Sequence, residues 1–288
     1  MKPGVLVISH GSRDADWVAL VDEAVDSVRR PAGMPVVSSF LEIVEGRLIQ
    51  DGVDALEADG VTHIYVLPLF VSSGSTHVDD IAQAFGQPAA AYREGELEPF
   101  TVREASVTVG RPIDDDPVIA EIVYGNVREL SVAPERETLL LVAHGSREKG
   151  LNRVWRTGMM RLAERVRALG GFKRAEIATL LPDQAACVMK ALTRRRAAGS
   201  GASGSEAGEV AGSGVGGTEA GADSGNGGEA VLVAPLFLSR GYFTSTVIPG
   251  RLAGFDYRYN GRALLPNPHI SRWMERQIGE WLADMEAR

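Results

Sequence analysis

The chain has 288 residues, a length that suggests two domains of ordinary size. It is 44% hydrophobic and 24% charged with a net charge of −8, which argues against a nucleic-acid partner that would need a broad basic face. No apolar run approaches the ~20 residues of a membrane span, and the start of the chain lacks a signal-peptide core. Cys187 is the single cysteine, so a disulfide framework and a thiolate metal cage are excluded. A cytoplasmic location is expected.

Residues 5–8 are expected as a buried strand. Val18, Val21, Val25 and Val28 then recur at helical spacing through 15–30. A strand over 36–41, a helix carrying Leu48, Val53 and Leu56, and a mostly apolar strand over 64–70 follow. The turn Ser72-Ser73-Gly74-Ser75 opens a helix from about residue 78, ahead of a strand at 101–109 and a helix at 116–130. The order then recurs: strand 139–143, helix 150–169, strand 176–181, helix 184–196, strand 230–238 and a last helix 270–285. Such alternation predicts an α/β protein of two duplicated Rossmann-like domains, each a small parallel sheet covered by helices on both faces.

The repeat is also written in motifs. His10-Gly11-Ser12-Arg13 and His144-Gly145-Ser146-Arg147 each follow an apolar strand, 134 positions apart. Pro68 and Pro235, each followed by Leu-Phe, lie 167 apart, so the second copy is 33 residues longer between these landmarks. The surplus coincides with residues 197–229, almost all Gly, Ala, Ser and acids, a composition that cannot bury enough surface to order itself. The expected division is therefore 1–133 and 134–288, with a disordered insertion at 197–229 in the second domain.

Three side chains of the first half leave successive strands: His10, Glu42 after Phe40-Leu41, and His77 beyond the Ser/Gly turn. Parallel strands end at one edge, where open α/β sheets bind ligands, so the three are candidates to share a crevice. Two imidazoles and a carboxylate suit a divalent metal with open positions, and equally suit proton removal. The bland alternatives are a backbone-bonded His10, a His77 paired with Asp79 or Asp80, and a solvated Glu42 with Glu45 as its competitor. In the second half His144 is retained, Pro182 falls at the place of Glu42, and no histidine follows Ser239. His144 is accordingly expected to be a structural relic. Asp114, Asp115 and Asp116 are expected to form a solvated loop with a helix cap, not a metal cluster.

The twin His-Gly-Ser-Arg turns, Phe40-Leu41-Glu42, and Pro68-Leu69-Phe70 followed by a glycine turn and His77 resemble the sirohydrochlorin chelatases of the CbiX type, in a double-length form. That resemblance implies ATP-independent insertion of a divalent metal, Co²⁺ ahead of Fe²⁺, into a polycarboxylate tetrapyrrole in cobalamin or siroheme biosynthesis. It implies the metal as substrate with no permanently bound cofactor, and maps His10, Glu42 and His77 as metal-handling and catalytic residues. Gly11, Ser12 and Arg13 at a helix start, the Ser73-Gly74 turn, Arg147 and Arg240 are the candidates to receive the substrate carboxylates. No nucleic-acid or membrane partner is expected, and internal duplication suggests a monomer. A histidine phosphatase would need an arginine just before the histidine, where Ser9 and Ala143 stand, and an α/β-hydrolase would need Gly-x-Ser-x-Gly, which is missing. A non-catalytic metal or tetrapyrrole carrier is the remaining rival.

Overall fold

A computed structural model describes residues 1–90, 93–201 and 229–287. Two parallel sheets carry the chain. Strands β1 (Pro3–Ser9), β2 (Val36–Phe40), β3 (His63–Pro68) and β4 (Ser106–Val109) form the first, in the order β2-β1-β3-β4. Strands β5 (Glu137–Gly145), β6 (Arg174–Leu181) and β7 (Ala230–Leu236) form the second, in the order β6-β5-β7. The α/β duplication is thus present, and the register is parallel throughout: Ser9 pairs with Phe40 and Ile8 with Pro68, while Ala143 pairs with Thr179 and with Leu236.

Because side chains alternate across a strand, each sheet serves two cores. Leu6, Ile8, Ile64 and Val66 face outward onto Ile49, Val53, Leu56 and Ile81 of α2 (Ile49–Ala58) and α3 (Thr76–Ala84). Val5, Val7, Tyr65 and Leu67 face inward and share one core with Leu139, Leu141, Leu232 and Ala234 of the second sheet. Between the sheets lie α1 (Ala15–Asp26), α4 (Pro117–Val127), α5 (Lys149–Gly170) and α8 (Pro268–Glu286). The outer face of the second sheet is covered by α6 (Ala185–Gly201) and the short α7 (Ile248–Arg251).

The last helix of each half packs on the other half: α4 lies against β7 and α5, and α8 against α1 and β3. The attachments are specific. Trp281 stacks on Tyr65 with ring centroids 5.0 Å apart, and Ser271 Oγ donates to the Ala24 carbonyl at 2.8 Å. Asn126 and Asn260 cross-link α4 to the second half through carbonyls of Ala263 and Asn126, at 2.8 and 2.7 Å.

Several boundaries differ from the sequence reading for identifiable reasons. The strand expected over 101–109 is paired only from Ser106, because the N–H groups of Arg103, Glu104 and Ala105 all donate to Glu57 Oε1 instead. Helix α1 stops at Asp26, where the Ser27 N–H closes on Glu23 and Val25 ahead of Pro31. The inserted stretch is shorter at both ends than its composition suggests: α6 runs to Gly201, and Glu229 accepts from Lys173 at 2.9 Å and from Thr138. Residues 202–228, where most of the expected disordered insertion falls, lie outside the described residues. A segment with no expected structure also pairs: Arg258 bridges Leu232 in parallel, giving β7 a rudimentary neighbour where β3 has β4.

Candidate functional site

His10 follows β1 directly and sits on a turn that only glycine can make. Gly11 has φ 98°, and a Cβ there would lie 2.1 Å from the Glu42 carbonyl oxygen. That close approach lets the exit of β2 run beside the exit of β1, with the N–H groups of Leu41 and Glu42 donating to the carbonyls of Ser9 and His10. Arg47 fixes the far end of the Glu42 loop. It grips Asp22 through two bonds of 2.9 and 2.6 Å and lies over the Phe40 ring at 4.8 Å. This pairing holds the Asp22 carboxyl below its usual range.

His10 Nε2 consequently stands 3.7 Å from Glu42 Oε1, with both side chains about half exposed. The ring of His77, the second residue of α3, meets that of His10 edge-on with centroids 4.9 Å apart and planes at 77°. Behind it lies Phe70 at 6.3 Å. His10 Nδ1 is 3.2 Å from the Gly11 carbonyl oxygen, which can only accept, so Nδ1 donates there and Nε2 is the ring nitrogen turned toward Glu42. Burial, and then the neighbouring His10, push the pKa of His77 below the usual 6.5, which favours its neutral imidazole. Three electron-pair donors from three strand exits therefore meet at one edge of the sheet.

The second half repeats the frame with different side chains. His144 Nδ1 is 3.1 Å from the Gly145 carbonyl oxygen, which fixes the same tautomer. Gly145 has φ 80°, and a Cβ on it would lie 2.2 Å from the carbonyl oxygen of Leu181. Leu181 is thus the positional counterpart of Glu42, which corrects the assignment of Pro182 by one residue. The place of His77 is taken by Phe243, whose ring meets His144 at 5.0 Å and 90°, with Phe237 behind it at 5.5 Å. Counting from the two prolines would select Thr244, but that hydroxyl is turned inward onto Gly241 at 3.0 Å.

The two exits face one another. A cavity of about 220 Å³ is lined by His77 and Thr76 from the first half and by His144, Arg147, Trp155 and Leu181 from the second. His144, read from sequence as a relic, therefore shares a cavity with His77. Burial pushes its pKa down as well, against the raising effect of the Gly145 carbonyl, and His10 adds to the lowering.

The remaining sequence candidates fall into two groups. Arg13, Arg147 and Arg240 are exposed and make no ion pair among the described residues, so their charges are free to meet an anion. Gly11 and Ser12 precede the α1 N-cap, Asp14, and the Ser12 hydroxyl accepts from the Asp14 N–H at 3.1 Å. Ser73 is engaged elsewhere, its N–H donating to Asp114 at 2.7 Å. Gly74 packs on α5, where a Cβ would come within 2.4 Å of the Leu151 carbonyl oxygen, so its smallness serves the contact between the halves. Asp79 and Asp80 are buried and turn to Arg93 rather than to His77. Asp116 caps α4 by accepting from Val118 at 3.0 Å. Among the described residues no three His, Cys, Asp or Glu are placed to hold a metal ion together, so His10, Glu42 and His77 are neighbours that do not close into a ligand set as they stand.

Comparison with known proteins agrees with this frame. The CbiX family model matches residues 4–130. A sirohydrochlorin cobaltochelatase of Methanothermobacter thermautotrophicus is 30% identical over 134 residues, 44% of this chain and 92% of that protein. A sirohydrochlorin ferrochelatase of Bacillus subtilis is 27% identical over 154 residues, 53% of this chain and 55% of that one, so the match spans about half of that relative's length. Among solved structures, SirB from Bacillus subtilis with Fe³⁺ superposes with a TM-score of 0.67 at 18% identity, covering 100% of this chain and 98% of that one. A cobalt complex of SirB from subspecies spizizenii gives 0.65 at 17%, with the same coverage of both chains. The chain belongs to the CbiX family of sirohydrochlorin chelatases.

Proposed function

We propose that this protein inserts a divalent metal into sirohydrochlorin without ATP, with Co²⁺ the preferred ion and Fe²⁺ the next, and that His10, Glu42 and His77 handle the metal. The observation that carries the reading is the convergence of two imidazoles and a carboxylate at one sheet edge, with His77 opposite His144 and Arg147. Sequence relatives named for both cobalt and iron chelation support the reaction class.

Metallation exchanges two pyrrole N–H protons for one M²⁺. The protein must strip water from the ion, hold it beside the ring and give the protons a way out. An open pair of imidazoles is suited to this task because it binds an aquated ion without enclosing it, and an ion that must be handed on cannot be caged. Arg13, Arg147 and Arg240 supply local attraction for the substrate carboxylates, which the net charge of −8 opposes at long range. Tyr242 and Phe243, exposed beside His144, offer apolar surface to a flat macrocycle. Gly11 and Ser12 contribute backbone N–H groups at the same edge.

The test is an anaerobic assay with sirohydrochlorin in excess over protein and either Co²⁺ or Fe²⁺, followed by visible absorbance. Multiple turnovers that collapse in His77→Ala are expected, with Co²⁺ faster than Fe²⁺. Tight binding of both substrates with no rate above the protein-free blank would overturn the enzyme reading and leave a carrier.

A further inference from the structure

The two halves also differ at the start of their first helices. Helices α1 and α5 begin at Ala15 and Lys149, the same 134 positions apart as the two His-Gly turns. In α1 the cap Asp14 turns its carboxylate onto the Asp16 N–H at 3.0 Å and so satisfies its own helix start. Its counterpart in α5, Glu148, makes no such bond, and Ser75 does not cap α3 through its side chain either. The first turns of α3 and α5 therefore keep open backbone donors. Both helix starts lie on the wall of the cavity that holds His77 and His144.

A third donor borders the same space. Trp155 is 5% exposed, and its Nε1–H is shut off from bulk water with no acceptor among the described residues. A buried donor left unpaired is costly, and native proteins rarely keep one without a use. Packing does not demand an indole here. The position at the same offset in α1 is Val21, fully buried and without a polar atom in its side chain. Gly74 shows where the pyrrole edge of the indole lies. A Cβ on that glycine would stand 2.7 Å from Trp155 Cδ1, the carbon bonded to Nε1, so this edge rests against the turn that leads into Ser75 and Thr76 on the cavity wall.

We propose that this cavity is a carboxylate subsite, in which Trp155 Nε1–H, the Arg147 guanidinium and the two open helix starts receive one carboxyalkyl arm of the substrate. That the arm belongs to a tetrapyrrole rests on the chelatase reading above; that the site takes a carboxylate does not. Size selects an arm over a ring. The cavity holds about 220 Å³, below the ~300–1,000 Å³ of pockets that enclose a whole small-molecule ligand. Charge selects an anion. Two helix N-termini favour negative charge, and Arg147 is exposed with no ion pair among the described residues. Glu148, the one acid on that wall among the described residues, is exposed and works against entry. A carboxylate tied down here limits how far the ring slides along the cleft and so sets where it comes to rest relative to His10 and His77.

The experiment reads the indole N–H signals of the ¹⁵N-labelled full chain, with Trp155 identified among the four tryptophans as the signal lost in Trp155→Phe. Two probes are titrated separately: metal-free sirohydrochlorin, and succinate with neutral succinamide as its control. Both carboxylate probes are expected to move the Trp155 signal to lower field, and succinamide to leave it in place. Trp155→Phe should weaken sirohydrochlorin binding about tenfold, through loss of a hydrogen bond to a charged acceptor. Arg147→Gln, a change at an exposed side chain, should weaken both probes several-fold and carries the test should Trp155→Phe fail to fold. Glu148→Gln should tighten both. A Trp155 signal that neither probe moves, equal movement with succinamide, or wild-type affinity in Arg147→Gln would overturn the proposal. The two readings fail separately. Sirohydrochlorin that turns over without moving the Trp155 signal overturns the subsite and spares the proposed function. Succinate that moves it in a chain unable to bind sirohydrochlorin overturns the proposed function and keeps the carboxylate site.

Discussion

The two halves share a frame and differ at its edge. Both carry His-Gly at the exit of their first strand, both use a positive-φ glycine to press that turn against the next strand exit, and both set against that histidine a ring backed by an aromatic residue two positions past a strand proline. The first half completes the cluster with Glu42 and His77, and the second with Leu181 and Phe243. The contrast at the edge therefore comes down to two side chains, Glu42 and His77 against Leu181 and Phe243, while strand order and turn geometry are common to both. A duplicated fold kept for packing and a site kept for chemistry can diverge independently, because backbone geometry is enforced by glycine and burial whereas ligands are replaceable one at a time.

Four perturbations would break or sharpen that contrast. The largest effect is expected where the halves depend on one another. Trp281→Ala removes the ring that stacks on Tyr65 from the opposite half and should cost ~3–5 kcal/mol, and calorimetry should show both halves melting in one transition. Two separated transitions would mean that the halves fold alone. Next, His77→Ala should lower turnover by on the order of 100-fold or more, whereas His144→Phe should leave the first equivalent of Co²⁺ bound as in wild type. Equal loss of metal from both variants would erase the distinction between the halves.

The paired glycines give a smaller effect. Gly11→Ala and Gly145→Ala each force a methyl group onto a carbonyl at positive φ and should each cost ~1–3 kcal/mol in chemical denaturation. Only Gly11→Ala should also weaken Co²⁺ binding, since it displaces the Glu42 loop. The smallest effect is in pH. His77 and His144 have folded pKa values below the 6.5 of the unfolded chain. Above 6.5 both states are neutral and stability is flat. As pH falls below 6.5 the unfolded chain takes up protons first, so stability declines until the folded values are passed. Thermal melts of metal-free protein between about pH 7.5 and 5 should show this decline, and His144→Gln should make it shallower.

Much of this was legible in the sequence. The repeat of His10-Gly11 at His144-Gly145 gave the duplication, and parallel strands made the meeting of His10, Glu42 and His77 a matter of topology, because all three leave the same sheet edge. What escaped were contacts that no local pattern encodes. Gly74 looks like a turn residue, yet its constraint comes from α5, about 80 positions away. The strand expected at 101–109 loses its first residues to Glu57, a carboxylate on α2. Counting along the chain put Pro182 opposite Glu42 and found no histidine to match His77. Three-dimensional register gives Leu181 and Phe243, since a phenyl ring carries no chemical signal that would mark it as a replaced ligand.

The most direct test of the central claim is the position of the metal itself. Crystals of the full chain soaked with Co²⁺, with anomalous data collected at the cobalt edge, should show one peak at about 2.1 Å from the Nε2 of His10 and a ring nitrogen of His77. A peak at His144, alone or in addition, would contradict the assignment of metal handling to the first half.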